Sequence, residues 1–181
     1  AEHLATEATD EVGASEPGDA DLVARARGGD RAAMGALFER YQPVVHGVLL
    51  ASGSRTDVDD VVQDVFVVAM RKIGSLRDGE AFCAWLLTIA RRKAVDAARR
   101  RRRWLVLRES HRAAREEGRA DEILAVIRSL PEAYRETLVW RLVEGLSGPQ
   151  IAARTGMTPG SVRVNLHRGM EMLRKALEDD A

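Results

Sequence analysis

The chain has 181 residues, of which 45% are hydrophobic and 31% are charged, and its 28 cations and 28 acids give a formal net charge of zero. This composition fits a globular protein with one modest core or two small ones and excludes a wholly disordered chain. No apolar run reaches the ~20 residues of a membrane span, and a secretion signal is absent, so we expect a cytoplasmic protein without membrane insertion. One cysteine and scattered histidines predict no disulfide, metal or cofactor.

The charges are unevenly distributed along the chain. Residues 1–20 contain six acids and no Lys or Arg, so the remainder carries a surplus of six positive charges. The low apolar content of residues 1–18, with Gly, Ser and Pro, predicts a disordered acidic tail. This tail is either a solvated leader or a segment that covers a basic surface of the same chain.

Helical periodicity begins after the tail. Asp19 is expected to cap a short first helix, which the Gly28–Gly29 pair ends. Asp30 is expected to cap a second helix, in which Pro43 predicts a bend or a restart. A third helix is expected to start at Thr56.

The third predicted helix carries a polar face, formed by Asp57, Asp60, Gln63 and Asp64. Their spacings of three and four place them on one side, while the valines between them pack inward. A solvated face and a protein-binding face both fit this pattern. Metal binding is disfavoured, because the spacing lacks the turn and ligand count of a calcium loop.

The fourth predicted helix starts near Asp78 and ends in the segment RRKAVDAARRRRR, residues 91–103, which has eight cations and one acid. Neighbouring arginines repel one another unless anions neutralise them, and duplex DNA offers a dense row of phosphates. A solvated basic helix end is the alternative. Phe82, Cys83 and Trp85 are expected to pack in the core. The expected DNA contacts are Arg91, Arg92, Lys93, Arg99, Arg100 and Arg103.

A polar stretch and a second helical module follow. We expect a first module over residues 19–103, a partly helical or irregular linker over 104–120 and a second module over 121–178. The apolar rhythm of the second module breaks at Pro131. The fold class expected is all-α, with two small helical domains joined by a linker.

The second module contains a helix-turn-helix pattern. Ser147 and Gln150 match a capping box, Gly156 ends that helix, and Thr158 with Pro159 begins another. Two helices joined by such a tight turn place the second one in the major groove of DNA. A plain helical hairpin with a polar outer face is the alternative. Val162 and Leu166 should face inward, and the expected base-reading side chains are Ser161, Arg163, Val164, Asn165, His167 and Arg168.

Three segments together resemble the extracytoplasmic-function (ECF) sigma factors of bacterial RNA polymerase. They are DDVVQDVF (59–66), AFCAWLLTIARRKAVDAARRRRR (81–103) and LPEAYRETLVWRLVEGLSGPQIAARTGMTPGSVRVNLHRG (130–169), and the resemblance covers about residues 20–178. Their order and spacing are more specific than any single segment.

The resemblance implies a function without covalent chemistry. Asp60 and Gln63 match polymerase-contacting residues of the family, with Asp57 and Asp64 beside them. The basic helix would contact the minus-10 element, a flipped base would enter the loop from Gly74 to Glu80, and the helix-turn-helix would read the minus-35 element. The implied partners are core RNA polymerase, promoter DNA and an anti-sigma factor.

Some residues depart from the family pattern. Arg92 stands where the family usually has Asn, and Val164 and Asn165 replace the usual Ser and Arg of the recognition helix. We therefore expect a distinct minus-35 preference, with Asn165 as a candidate adenine reader.

Two other functional classes fit the sequence less well. An autonomous helix-turn-helix regulator would account for residues 121–178 but would leave the acidic face and the basic helix without a joint purpose. An enzyme is disfavoured, because no nucleophile–base pair, phosphate-binding loop or metal-ligand cluster is visible in the sequence.

Overall fold

A computed structural model describes residues 16–53, 58–107 and 119–179, with the side chains of 101–107 and 119–121 outside the description. Within these ranges the chain is helical and contains no β-strand, which confirms the all-α prediction. The helices are α1 (Asp19–Arg27), α2 (Arg31–Ala51), α3 (Val58–Lys72), α4 (Phe82–Leu107), α5 (Arg119–Ser129), α6 (Glu132–Leu142), α7 (Gly148–Thr155) and α8 (Pro159–Asp179).

The first two helices begin at different kinds of cap. Asp30 caps α2 as predicted, because its carboxylate accepts hydrogen bonds from the backbone N–H groups of Ala32 and Ala33. The predicted cap at Asp19 is wrong, since Gly18 is the N-cap and Asp19 is the first residue of α1. The Asp19 carboxylate instead accepts hydrogen bonds from Arg40 and from the hydroxyl of Tyr41. Asp19 therefore binds side chains of α2 in place of the backbone N–H groups at the start of α1.

Pro43 lies inside α2 and does not restart it. Proline removes one helical hydrogen bond and crowds the preceding turn, at a cost of about 3 kcal/mol. The residues on both sides of it, including Leu37, Tyr41, Val44 and Val48, are buried in the same core. Burial of both halves of α2 offsets the local cost.

The core of the first module is formed by α1, α2, α3 and α4. Phe82 is fully buried, its ring centroid lies 5.4 Å from that of Tyr41, and Trp85 packs partly buried against the same core. Cys83 is also buried, and burial raises the pKa of its thiol to about 12. The prediction that these side chains are packing residues is confirmed for Phe82 and Cys83.

The ends of the long helices differ from the predicted boundaries. Asp78 caps a short 3-10 turn, Gly79–Ala81, which leads directly into α4. Helix α4 then continues to Leu107, four residues beyond the predicted end of the first module, and α5 begins at Arg119. Thr56 and the middle of the predicted linker, residues 108–118, lie outside the described residues.

The two modules pack against each other. A second cluster contains Ile127, Leu138 and Leu173 of the second module together with Ala51 at the end of α2. The core of the first module, however, extends into the second and includes Trp140 and Ile151. The linker therefore joins two bodies that share a buried surface.

Candidate functional site

The polar face of α3 is exposed as predicted. Asp60, Gln63 and Asp64 are exposed, while Val62 and Val65 on the opposite side are buried. We call Asp60, Gln63 and Asp64 the acidic face. Asp57, predicted to belong to it, lies outside the described residues.

Two cations on the basic side of α4, Arg91 and Lys93, are paired with acids of other helices. Arg92, Arg99 and Arg100 are exposed. The Arg91 guanidinium donates two hydrogen bonds to the Glu136 carboxylate of α6, at 3.0 and 2.8 Å. Lys93 donates to Asp64 of the acidic face at 3.1 Å. The side chain of Arg103 is not described.

These pairs connect the candidate surfaces to one another. The hydrogen bond from Arg91 to Glu136 stabilises the charged guanidinium and raises the pKa of Arg91 further above its ordinary value. The Lys93–Asp64 pair places the acidic face of α3 directly beside the basic helix. Two surfaces that suit partners of opposite charge therefore lie side by side on one module.

The helix-turn-helix has the caps that its sequence predicts. The Ser147 hydroxyl accepts from the Gln150 N–H at 3.3 Å, and the Gln150 side chain accepts from the Ser147 N–H at 2.8 Å. Gly156 ends α7 at φ 70°, a conformation that favours glycine. The Thr158 hydroxyl accepts from the Ser161 N–H at 3.1 Å at the start of α8. Local sequence therefore sets where α7 ends and where α8 begins.

The first turns of α8 present most of the predicted base-reading residues to solvent. Ser161, Arg163, Val164, His167 and Arg168 are exposed. On the inner side of α8, Val162 is buried and Leu166 is partly buried, as predicted.

Asn165 is placed differently from the prediction. It is half-buried, and its side-chain amide donates to the backbone oxygen of Ala133 at 3.0 Å and to the hydroxyl of Thr137 at 3.5 Å. Its donor group therefore faces α6 instead of the outer surface. An adenine contact by Asn165 would require these hydrogen bonds to break, and its base-reading role stays a prediction.

The loop from Gly74 to Glu80 is fixed by α1. Arg27 donates hydrogen bonds to the backbone oxygens of Ile73, at 3.2 Å, and Leu76. At Gly79, an added Cβ would lie 2.7 Å from the Cα of Ala20, so only glycine allows this approach of α1. Sequence analysis missed the role of Arg27, because its partners lie 46 and 49 residues away.

Two acids of the second module also escaped sequence analysis. Glu136 pairs with Arg91, and Glu144 contacts His46 with its Oε1 atom 2.6 Å from Nδ1. Helical spacing could have placed Glu136 on a polar face, but no local signal names a partner 45 or 98 residues away. Both acids bind the first module.

The described parts of the chain hold no cluster of three or more potential metal-ligating side chains. None of the helices in those parts is both long and apolar enough to span a membrane. A helix-turn-helix, a basic helix and an adjoining acidic face define a DNA-binding protein of transcription with a further surface for a protein partner.

Comparison with known proteins gives the particular family. The model of Sigma-70 region 2 matches residues 37–104, and that of Sigma-70 region 4 matches residues 120–173. The RNA polymerase sigma factor CarQ of Myxococcus xanthus is 32% identical, over 84% of this chain and 94% of its own. The ECF RNA polymerase sigma-E factor of Haemophilus influenzae is also 32% identical, over 88% and 95%.

A solved structure of CnrH in complex with the cytosolic domain of CnrY is similar in fold. It has 30% sequence identity and a TM-score of 0.60, over 90% of this chain and 99% of that chain. The chain belongs to the ECF family of RNA polymerase sigma factors. It therefore binds core RNA polymerase and directs promoter-specific initiation of transcription, and an autonomous regulator has no support among these relatives.

Proposed function

We propose a division of labour between the two modules. Residues 19–103 form the module that binds core polymerase and the minus-10 element, and residues 121–178 form the module that binds the minus-35 element. Residues 104–120 connect the two, and residues 1–18 form an acidic tail. The observation that carries this proposal is the presence, in one chain, of an exposed acidic face on α3 and an exposed first turn of a helix-turn-helix on α8.

The acidic face docks on polymerase. Asp60, Gln63 and Asp64 offer carboxylate and amide groups on one side of α3, and the sequence assigns Asp57 to the same role. Such a face fits a basic surface on the partner, because complementary charge steers association and fixes orientation. Exposure of all three described members supports this role.

The basic helix contacts the minus-10 DNA. Its cations neutralise phosphates and release counterions, so they fix position without reading sequence by themselves. Arg92, Arg99 and Arg100 are exposed and ready for this contact, whereas Arg91 and Lys93 must exchange carboxylates for phosphates. The loop from Gly74 to Glu80 receives a base of the opened strand.

The start of α8 reads the minus-35 element in the major groove. Arg163 and Arg168 can donate to guanine, and Val164 can contact a thymine methyl group. Ser161 and His167 complete the exposed surface, and Asn165 joins it if its amide leaves α6.

The chain acts by binding alone, and polymerase supplies the catalytic chemistry. It works in the cytoplasm, where polymerase and chromosomal DNA meet. The complex of CnrH with the cytosolic domain of CnrY supports a further protein partner for this chain, of the anti-sigma class.

Charge reversal tests the polymerase surface. The Asp60→Lys/Asp64→Lys variant should lower the affinity for core polymerase at least tenfold in a pull-down or fluorescence titration, since two attractive contacts become repulsive. Glu178→Lys, which reverses an exposed acid in the other module, is the control and should bind as wild type does. Equal affinity of all three proteins would refute the proposed docking face.

A further inference from the structure

We propose that Arg27 is a positioning residue for promoter opening: together with the rest of α1, it holds the loop from Gly74 to Glu80 in the shape that receives a base of the opened strand. This role rests on the proposed function, in which the loop is the base-receiving site. Its physical basis is a set of contacts by which α1 holds both halves of the loop.

Arg27 binds the first half of the loop through the loop backbone. Its Nε–H donates to the backbone oxygen of Ile73 at 3.2 Å, and its Nη2–H donates to the backbone oxygen of Leu76. A guanidinium presents its N–H groups in a rigid planar fork, so two bonds from one side chain fix the direction as well as the distance of the two carbonyls. The backbone on either side of Gly74 and Ser75 is therefore held by α1.

The same two residues of the loop are also fixed by their side chains. Ile73 and Leu76 are 5% and 8% exposed and belong to the core of the first module. Gly74 and Ser75 between them are exposed, and so is Arg77 directly after them. The loop is therefore held at two points and open to solvent between and after them.

The second half of the loop lies directly against the start of α1. A Cβ added at Gly79 would lie 2.7 Å from the Cα of Ala20 and 3.4 Å from its backbone oxygen. Backbone atoms do not move aside as the end of a flexible side chain does, so this approach requires glycine. Asp78 stabilises the same turn, because its carboxylate accepts from the Glu80 N–H at 3.0 Å. Ala20 and Arg27 are about two turns apart, so one helix contacts both halves of the loop.

Helix α1 is itself firmly placed. The Asp19 carboxylate accepts hydrogen bonds from the Arg40 guanidinium, at 2.7 Å, and from the Tyr41 hydroxyl, both in α2. The inner side of α1 is buried in the core through Leu22, Val23 and Ala26. Because α1 is fixed to the core along its length, it holds the loop in one arrangement before DNA binds.

An ordered loop favours the capture of a base. A base that leaves the DNA stack gives up stacking and pairing, and the site that receives it must offset that loss. A loop that already has its bound shape loses little conformational entropy when the base arrives, so capture is more favourable. Without Arg27, the segment between Ile73 and Leu76 would gain freedom, and ordering it would weaken capture.

A direct phosphate contact is the alternative role for a cation at this position. Arg27 would then have to give up its bonds to the two loop carbonyls. The two roles predict different salt dependences. Loss of one phosphate contact lowers the slope of log affinity against log salt concentration by about 0.7 for single-stranded DNA, whereas loss of a positioning residue leaves the slope unchanged.

An abasic scan with the holoenzyme, the full chain bound to core polymerase, tests the proposal. The probe is a forked DNA, duplex upstream and single-stranded over the minus-10 element, with a sequence selected from a random library by wild-type holoenzyme. An abasic site replaces each single-stranded position in turn, and fluorescence anisotropy measures the affinity. Wild type should lose affinity roughly tenfold at the position whose base enters the loop.

Arg27→Ala should bind the intact fork about tenfold more weakly than wild type, because two hydrogen bonds from a charged group are lost. It should lose less than about twofold more when the captured base is removed, since the protein and DNA changes affect the same contact. Its salt slope and its affinity for core polymerase should match wild type. Arg25→Ala is the matched control, because Arg25 lies in the same helix but pairs with Asp30 at 2.8 Å, and it should show the wild-type abasic loss.

Gly79→Ala disturbs the same loop from its other half and replaces Arg27→Ala in the test if circular dichroism shows that Arg27→Ala does not fold. It should also reduce the abasic loss. Gly35→Ala is its control, since a Cβ added at Gly35 would meet nothing within 4 Å.

The outcomes separate this proposal from the proposed function. A full abasic loss in folded Arg27→Ala, or in Gly79→Ala where that variant replaces it, would overturn the positioning role while leaving the loop as the base-receiving site. A salt slope lowered by about 0.7 in Arg27→Ala would also overturn it and assign Arg27 to a phosphate. A wild-type holoenzyme without any abasic-sensitive position would overturn the base-receiving loop itself, and the role of Arg27 with it.

Discussion

The interior of the first module and the contact between the modules differ in composition. The interior is apolar, with side chains such as Phe82, Leu86 and Val65 fully buried. The contact also buries apolar side chains, among them Trp140, Leu146 and Ile151, but it is bordered by partly exposed ionic groups. Water can solvate the ionic groups if the modules separate. The apolar side chains of the interior, in contrast, lose free energy of burial when water reaches them. The ionic border is therefore the part of this contact that salt and pH can change.

The largest effect is expected in the interior. Phe82→Ala should lower the free energy of unfolding by about 3–5 kcal/mol, because it removes a fully buried aromatic ring and leaves a cavity. Urea unfolding followed by circular dichroism measures the loss. Val95→Ala in the same helix is the control, since Val95 is 50% exposed and should change stability by less than about 0.5 kcal/mol. Equal losses in the two variants would contradict the described core.

The next effect concerns Trp140, which joins the second module to the first. Trp140→Ala should weaken the contact between modules by about 3 kcal/mol, the lower end for a buried aromatic side chain. The modules should then unfold separately, so that curves from circular dichroism and tryptophan fluorescence no longer coincide. Trp140→Phe keeps most of the apolar volume and should cause a smaller loss. Coincident curves with an unchanged midpoint in Trp140→Ala would show that Trp140 does not hold the modules together.

A smaller effect is expected from salt. Raising KCl from about 0.05 to about 0.5 M shortens the Debye length from about 14 to about 4 Å and screens the Arg91–Glu136 pair. A partly exposed pair contributes at most about 1 kcal/mol, so the equilibrium constant for separation of the two modules should rise no more than about fivefold. Small-angle X-ray scattering at both salt concentrations measures this separation. Glu136→Gln should reduce the salt dependence, and a dependence that survives this change would assign it to other charges.

The smallest effect is expected from pH. The hydrogen bond to Glu144 raises the pKa of His46, with Asp59 of α3 adding a weaker attraction. The contact between the modules gains this stabilisation fully below the ordinary histidine pKa of ~6.5 and loses it as pH rises through the elevated value. The equilibrium constant for separation of the modules, measured by small-angle X-ray scattering, should therefore rise about twofold between about pH 6 and about pH 8.5. His46→Gln should abolish this change, and the opposite slope in wild type would contradict the His46–Glu144 contact.

The candidate surfaces were predictable to different degrees. The acidic face and the exposed start of α8 followed from helical spacing, because residues three or four apart share a side whatever the rest of the fold does. Asn165 did not follow, since its amide faces α6 and its nearest acceptor belongs to a residue 32 positions away. The sequence also does not predict which cations of α4 pair with a distant acid. Arg91 and Arg92 are neighbours in the chain, but the pair with Glu136 is formed by Arg91.

The sequence by itself determined the helices, their caps at Asp30, Ser147 and Thr158, and the family, because these depend on residues close together in the chain. Only the tertiary structure decided that Asp19 accepts hydrogen bonds from Arg40 and Tyr41, and that α2 continues through Pro43. It also decided that Trp140 packs over Gly47. Contacts between distant residues depend on how the helices are arranged in space, and the local period of the sequence does not encode that arrangement.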